Sequence, residues 1–270
     1  MIPAAYITEW KQMAPWPRND QVEQDLIICR ALVEIYSHPD LANSLAFRGG
    51  TALYKLHLPP ARYSEDIDLV QVSPGPIGPI MSALQEKLNA WLGIPKRKQG
   101  EGRVTLTYRM ASEAGLPLRL KVEIDSREHF TVLGLEKRIL DIHSRWFSGS
   151  SSLLTYQLDE LLGTKVRALY QRNKGRDLYD LWAAFQNAQV TPVRVIDCFL
   201  RYMMNEGHKI SRAEFERNLL AKLDDPGFLN DAKPLLMNAS EYDVHLAADF
   251  VMNKLACLIP GETWKGKITK

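Results

Sequence analysis

Apolar residues recur at helical spacing at Val22, Leu26, Cys29, Val33 and Tyr36, behind a "DQVE" that has the form of a capping box opened by Asp20. This predicts a helix over about 20 to 37. "SLAF" is a short apolar strand, two glycines follow it, and Thr51 is placed to N-cap a helix carrying Leu53 and Leu56. Beyond Pro59 and Pro60, "DIDLVQV" alternates as a strand does. Ile80, Leu84, Leu88 and Trp91 mark another helix, which Gly93 can end. Two clean alternations come next: Val104, Leu106, Tyr108 and Met110, then Leu118, Leu120, Val122 and Ile124. The turn "ASEAGLP" between them predicts an antiparallel hairpin. "KRILDIHSRWF" is a less regular candidate for one further strand.

From Ser148 the pattern changes. The serine-rich "SGSSS" reads as a boundary, and only helical signals follow it. One helix is expected over about 156 to 172 and a second from Gly175 to about 187. Thr191 and Pro192 have the N-cap and N1 residue types of a third, and Ser211 with Glu214 caps a fourth. The last is expected over about 240 to 258, with Val244, Val251, Leu255 and Leu258 inward. The chain therefore reads as α+β, with a mixed-sheet domain over 1–150 that includes an N-terminal helix and a helical domain over 151–270.

Composition narrows this only a little. The 270 residues, 46% hydrophobic and 24% charged, suffice for one large or two modest domains, and a net charge of +2 neither requires nor excludes a nucleic-acid partner. Cys29, Cys198 and Cys257 lie far apart with no knuckle or redox spacing, and read as buried thiols in a reducing compartment. The start lacks the form of a signal peptide, and no apolar run approaches the roughly 20 residues that span a bilayer. The expectation is a cytoplasmic protein without membrane contact. The six histidines show no metal-binding spacing.

The chemistry is concentrated in "FRGGTALYKLHLPPARYSEDIDLV". Strand side chains alternate, so Asp66 and Asp68 project from one side while Ile67 and Leu69 enter the core. Two carboxylates this close repel unless a cation sits between them, and Mg²⁺ takes one or two carboxylates plus substrate phosphates. In "LRLKVEID" the apolar set faces one way and leaves Lys121, Glu123 and Asp125 on the other. If that strand lies beside the first, a third carboxylate reaches the same metals. Two ions about 3.5–4 Å apart clamp the oxygens of an in-line displacement at phosphorus. Gly49 and Gly50 let the backbone approach a ligand, and the amides of the following helix form an anion site to which Thr51 adds a hydroxyl. Singly, a D-x-D is commonly a solvated strand edge and Gly-Gly simply a turn. Their order here, with the hairpin's polar face, is far rarer by accident.

"FRGGTALYKL", "RYSEDIDL" and "KVRALYQRNKGRDLYDLW" together resemble the signature blocks of the AbiEii-type abortive-infection toxins, whose relatives include the MenT nucleotidyltransferase toxins of type IV toxin/antitoxin systems. The resemblance covers about 47 to 182. It implies a polymerase-β-like nucleotidyltransferase fold followed by a helical domain. It also implies Mg²⁺-dependent transfer from an NTP, with the 3′ end of tRNA as acceptor and aminoacylation blocked, and a cognate antitoxin encoded nearby. Carried over residue by residue, the glycine element falls on Gly49, Gly50 and Thr51, beside Arg48. The metal pair falls on Asp66 and Asp68, and Glu123 best matches the third acid, with Asp125 a competitor on the same face. The lysine block falls on Lys165, and the terminal Arg-Asp-x-x-Asp on Arg176, Asp177 and Asp180.

Read without the family, Lys165 and Arg172 lie two turns apart on one helix face, about 10 Å, and such a face follows a triphosphate or an RNA backbone. A solvated face whose cations pair with Asp177 or Asp180 is the competing reading. "PKRKQGEGR" reads as a mobile basic loop, with RNA contact the rarer explanation. The same site could instead serve a protein or small-molecule hydroxyl, or bind a nucleotide without turnover.

Overall fold

The computed structural model describes residues 2–266. The chain forms two compact units, Met1–Tyr156 and Gln157–Lys270. In the first, α1 (Ala4–Trp10), α2 (Asn19–Tyr36) and α3 (Pro39–Ser44) precede β1 (Leu45–Arg48). A helical segment follows: α4 (Gly49–Ala52), continued by a π-type turn over Leu53–His57. Then come β2 (Asp66–Gln71), α5 (Ile77–Leu92), β3 (Lys96–Gly100), β4 (Arg103–Ala111), β5 (Pro117–Asp125), β6 (Leu135–His143) and β7 (Ser148–Tyr156). The seven strands make one mixed sheet in the order β3-β4-β5-β2-β1-β7-β6, with β2/β5 and β1/β7 parallel and the remaining pairs antiparallel.

The alternation read from the sequence decides which face of this sheet is core. Ile67, Leu69, Leu106, Tyr108, Leu120, Val122 and Ile124 are essentially inaccessible to solvent. Each such side chain contributes about 1.5–3 kcal/mol by leaving water. Helix α2 lies over this side and donates from Gln24 Nε2 to the Arg119 carbonyl at 2.8 Å, while Asn89 of α5 accepts from Tyr108 at 3.0 Å. Glu65, Asp66, Asp68, Lys121 and Glu123 are left on or beside the opposite, more open face.

Three local expectations change. Helix α2 starts at Asn19, with Gln21 Oε1 accepting from the Arg18 amide at 3.3 Å, so Asp20 lies in the first turn and pairs with the Arg18 side chain instead of capping. "SGSSS" is not a boundary. It is the first half of β7, paired throughout with β6, and Ser151 donates to the Val33 carbonyl in the interior. The basic stretch after Pro95 is likewise a strand, β3, held by main-chain bonds to β4.

Buried Asp25 on α2 accepts from the indoles of Trp10 and Trp16 at 2.9 and 3.1 Å, and from Lys55 Nζ at 2.6 and 2.7 Å. Because Lys55 belongs to the π-type turn, this ion pair anchors the segment behind the two glycines to the central helix. Burial drives the Cys29 thiol beside it up to about 12, consistent with an inert interior cysteine. Cys198 is also buried, whereas Cys257 is exposed, against expectation.

The second unit comprises α6 (Leu158–Gln171), α7 (Gly175–Asn187), α8 (Pro192–Asn205), α9 (Arg212–Lys222), α10 (Pro226–Asp231) and α11 (Val244–Lys254). Thr191 precedes Pro192 as expected, and Ser211 and Glu214 complete a capping box. Helix α11 is shorter than its pattern suggested. Asp243 caps it, Ala247, Ala248 and Val251 face inward, and Leu258 is exposed.

Candidate active site

The site is built on a backbone turn. Strand β1 ends at Arg48 in extended conformation, and Gly49 then takes φ of +83°, a region that L-residues with a Cβ avoid. A Cβ on Gly49 would also overlap the Asp68 carboxylate, and one on Gly50 would overlap the Arg62 guanidinium. The glycines thus admit two charged side chains against the main chain. Arg62 is buried, donates to the Tyr63 carbonyl at 2.9 Å and lies over the Tyr54 ring, so it belongs to the architecture of the turn. Thr51 is not an N-cap. It sits inside the first helical turn, 1% exposed, and its hydroxyl donates to the Asp66 carbonyl at 2.5 Å and meets Ser64 Oγ at 2.9 Å. Its effect is to tie the start of β2 to the glycine turn.

Strands β2 and β5 are parallel neighbours, and their register places Asp68 beside Glu123 and Asp66 beside Lys121. Asp68 is also opposite Arg48 of β1. The Asp66 carboxyl is pushed up to about 6, first by burial and then by Asp68, with Lys121 acting in the opposite sense. Lys121 Nζ lies 2.5 Å from Glu123 Oε1, and its own pKa is raised as Glu123, Asp66 and Asp68 outweigh the effect of burial. A lysine ammonium therefore supplies positive charge to an otherwise acidic row.

Asp125, on the same face, is engaged elsewhere. It sits beside Val70, accepts from the Arg127 and Glu128 amides at 2.9 and 3.2 Å, and pairs with Arg48 at 3.3 Å. Arg48 also pairs with Glu128, and these acids hold it charged against burial. Register thus favours Glu123 over Asp125 as the acid beside Asp68.

Among the described residues no three acidic, histidine or cysteine side chains are already gathered as a metal cage. The donor set nevertheless suits a hard divalent ion that takes few protein ligands: Asp68 and Glu123 in adjacent register, and Asp66 two residues away on the same face with its carboxyl raised first by burial and then by Asp68.

In the second unit, Lys165 Nζ lies 2.7 Å from Asp180 Oδ2 and 3.2 Å from Asp177 Oδ1. Arg172 adds a forked pair to Asp177 at 2.7 and 2.8 Å. Both aspartates are fully buried, and Lys165 is 6% exposed. Burial works to raise the Asp177 carboxyl, but Lys165 and Arg172 hold it below the usual carboxylate range. Arg176 is apart from this group. Its amide donates to Asp231 at 3.2 Å, and its side chain is partly exposed. The predicted set is thus brought together as two groups: Arg48, Gly49, Gly50, Asp66, Asp68 and Glu123 in one unit, and Lys165, Arg172, Asp177 and Asp180 in the other.

Lys121 was visible in the sequence as part of a polar strand face, but only the β2/β5 register reveals its place among the acids. Arg62 was readable only as a cation flanking the motifs that could meet phosphate or an acid, and the Lys55 anchor had no readable signal, since a buried cation is recognised by its partner.

Seven strands in a mixed sheet that set paired aspartates beside a glycine turn, followed by a helical unit, define a nucleotidyltransferase fold. The chain belongs to the family described as nucleotidyl transferase AbiEii toxin of type IV toxin–antitoxin systems, whose pattern it matches over residues 30–251. It is therefore a nucleotidyltransferase of a toxin family, and type IV systems pair such a toxin with an antitoxin.

Similar solved structures include MenT4, nucleotidyltransferase toxin Rv2826c from Mycobacterium tuberculosis H37Rv, at 17% identity and TM-score 0.59, covering 93% of this chain and 99% of that one. JHP933 from Helicobacter pylori matches at 16% identity and TM-score 0.51, covering 88% and 94%. A putative nucleotidyltransferase from H. pylori matches at 16% and 0.51, covering 90% and 100%. At these identities they establish the fold. No curated protein sequence matches. No helix among the described residues is long and apolar enough to cross a membrane.

Proposed function

We propose that the protein transfers a nucleotide from an NTP to the 3′-hydroxyl of an RNA, most plainly a tRNA, and thereby blocks aminoacylation and translation in the cytoplasm. The observation that carries this reading is the adjacency of Asp68 and Glu123 across β2 and β5, with Asp66 two residues away on the same face and its carboxyl raised to about 6. Asp66, Asp68 and, once released from Lys121, Glu123 would hold Mg²⁺, two ions in the family pattern. When bound, Mg²⁺ supplies neutralisation of charge on the transferring phosphate.

The chain's own groups do the rest. The amides at the glycine turn orient the phosphates, and Gly49 keeps the Asp68 carboxylate pressed against that turn. Glu123 accepts the proton of the acceptor hydroxyl as its oxygen bonds the α-phosphorus and the bond to the β-phosphate oxygen breaks, releasing pyrophosphate. Lys121 returns positive charge to the row when Glu123 lets it go. In the second unit, Lys165, Asp177 and Asp180 satisfy one another, whereas Arg172 and Arg176 keep exposed guanidinium surface suited to phosphate.

The test incubates purified protein with each labelled NTP, Mg²⁺ and total tRNA. Label should enter RNA and be lost in Asp66→Ala and Asp68→Ala. Label entering protein or a small molecule instead would overturn the RNA assignment.

A further inference from the structure

The stretch that reads as a basic loop is an edge strand, and it is built into the same sheet face as the carboxylates. Register carries two rows across the sheet. One runs Asp66, Lys121, Thr107, Lys96, and the other Asp68, Glu123, Thr105, Lys98. Each row crosses three interstrand gaps, so the acids and the two lysines are separated by about 14 Å. Arg103, Arg109 and Arg119 share the parity of these positions on β4 and β5 and extend the face on either side of the rows. A shallow groove of about 460 Å³ runs over it.

Away from Asp66 and Asp68, on β3, β4 and β5, the charge of this face is mostly positive. The two acids there are engaged, Glu123 by Lys121 and Asp125 by Arg48. Among the described residues Arg119 pairs with exposed Glu65 alone, at 3.6 Å. Among the described residues, no ion pair is formed by Lys96, Lys98, Arg103 or Arg109. Lysines on an edge strand also discourage strand-to-strand association. That need does not reach the inner strands, where Arg103, Arg109 and Arg119 stand on the same face, with threonines as the only uncharged side chains between them and the lysines.

We propose that this face binds the phosphodiester backbone of the acceptor RNA strand, with Lys96 and Lys98 gripping phosphates two or three nucleotides from the end so that the 3′-hydroxyl arrives at the Asp66, Asp68 and Glu123 row. This rests on the nucleotidyl-transfer reading for the role of the strand's end, but the binding itself does not depend on turnover. Cations spaced along and across strands at roughly 5–7 Å suit a flexible polyanion, and contacts confined to phosphate make the grip independent of base sequence.

The experiment measures fluorescence anisotropy of a 5′-labelled 16-nucleotide single-stranded RNA, in EDTA and without NTP, over a series of salt concentrations. Lys96→Gln/Lys98→Gln should weaken binding about 10-fold or more at 0.1 M salt and reduce the slope of log affinity against log salt by about 1.4. Lys96→Arg/Lys98→Arg should keep both values. Lys11→Gln/Lys137→Gln, which removes the same charge from exposed positions elsewhere, should also keep both. Equal affinity and slope in the Lys96/Lys98 glutamine variant and the wild type would overturn the proposal, as would an equal loss in the Lys11/Lys137 variant. Unchanged RNA binding with lost binding of labelled poly-glutamate would reassign the face to an acidic protein. RNA binding that follows the variants as expected, in a protein that never labels RNA, would sustain the face and sink the transfer reading.

Discussion

The two units each gather charge away from water, and they do so with opposite balances. Around Asp66, Asp68 and Glu123 the Asp66 carboxyl is pushed up, first by burial and then by Asp68. Around Asp177 and Asp180, Lys165 and Arg172 match the acids, and the Asp177 carboxyl is held down despite full burial. A carboxyl whose charge its surroundings oppose suits a site that a cation completes, as proposed above, whereas the paired, buried Lys165, Asp177 and Asp180 join helices α6 and α7 as they stand.

The sharpest break in this comparison is a mutation with opposite consequences in the two clusters. Asp68→Asn should lower nucleotide transfer by on the order of 10³-fold, equivalent to several kcal/mol of lost transition-state stabilisation, while the metal-free melting temperature moves far less than in a variant of the buried Lys165 pair. Labelled-NTP transfer and calorimetry in EDTA measure the two halves. A melting temperature that fell with the activity would show the acids to be structural.

Lys165→Met addresses the other cluster. It leaves Asp177 and Asp180 buried without their shared ammonium, and unfolding free energy should fall by about 3–5 kcal/mol. Single-turnover transfer by the fraction that remains folded at low temperature should stay within a few fold of wild type. Chemistry lost from a variant that melts normally would place Lys165 among the groups acting on the nucleotide.

How much of this contrast was legible follows from what each element needs. Strands β2, β4 and β5 have one buried face, so the apolar alternation through Ile67, Leu106 and Val122 exposes them, and with them the side on which Asp66, Asp68 and Glu123 stand. Strand β3 buries no residue, and the serines of β7 carry no apolar period; both are held by main-chain pairing with their neighbours, which leaves no side-chain trace. The glycines were readable as a special turn. What their missing Cβ atoms make room for, the Asp68 carboxylate and the Arg62 guanidinium, depends on contacts across 12 to 19 residues and was not.

Gly49→Ala sharpens the comparison from the backbone side. It adds a Cβ where φ is +83° and where the Asp68 carboxylate already lies, so stability should fall by about 1–3 kcal/mol and transfer should fall with it. Gly78→Ala, in open space on α5, is the matching control and should change neither. Urea unfolding of the two variants decides the point, and an unchanged Gly49→Ala midpoint would mean that the turn relaxes freely.

The smallest effect is a pH dependence whose sign the balance dictates. The folded Asp66 carboxyl, at about 6, lies above its unfolded value, so the folded state holds the extra proton between the two. Its contribution is therefore fully present below about pH 4 and is lost as pH rises through 6. In EDTA the difference in unfolding free energy between wild type and Asp66→Asn should shift by on the order of 1–2 kcal/mol against the wild type from pH 4.5 to 7, reduced by the solvent that still reaches the group. Mg²⁺ should offset that loss at pH 7 and do little at pH 4.5, where the proton already occupies its ligand. A cluster compensated like the one around Asp177 shows the reverse slope in a lower window, its contribution present above about pH 4 and lost as pH falls below that, so a titration carried down to about pH 2.5 and compared between Asp66→Asn and Asp177→Asn reports which balance each unit carries.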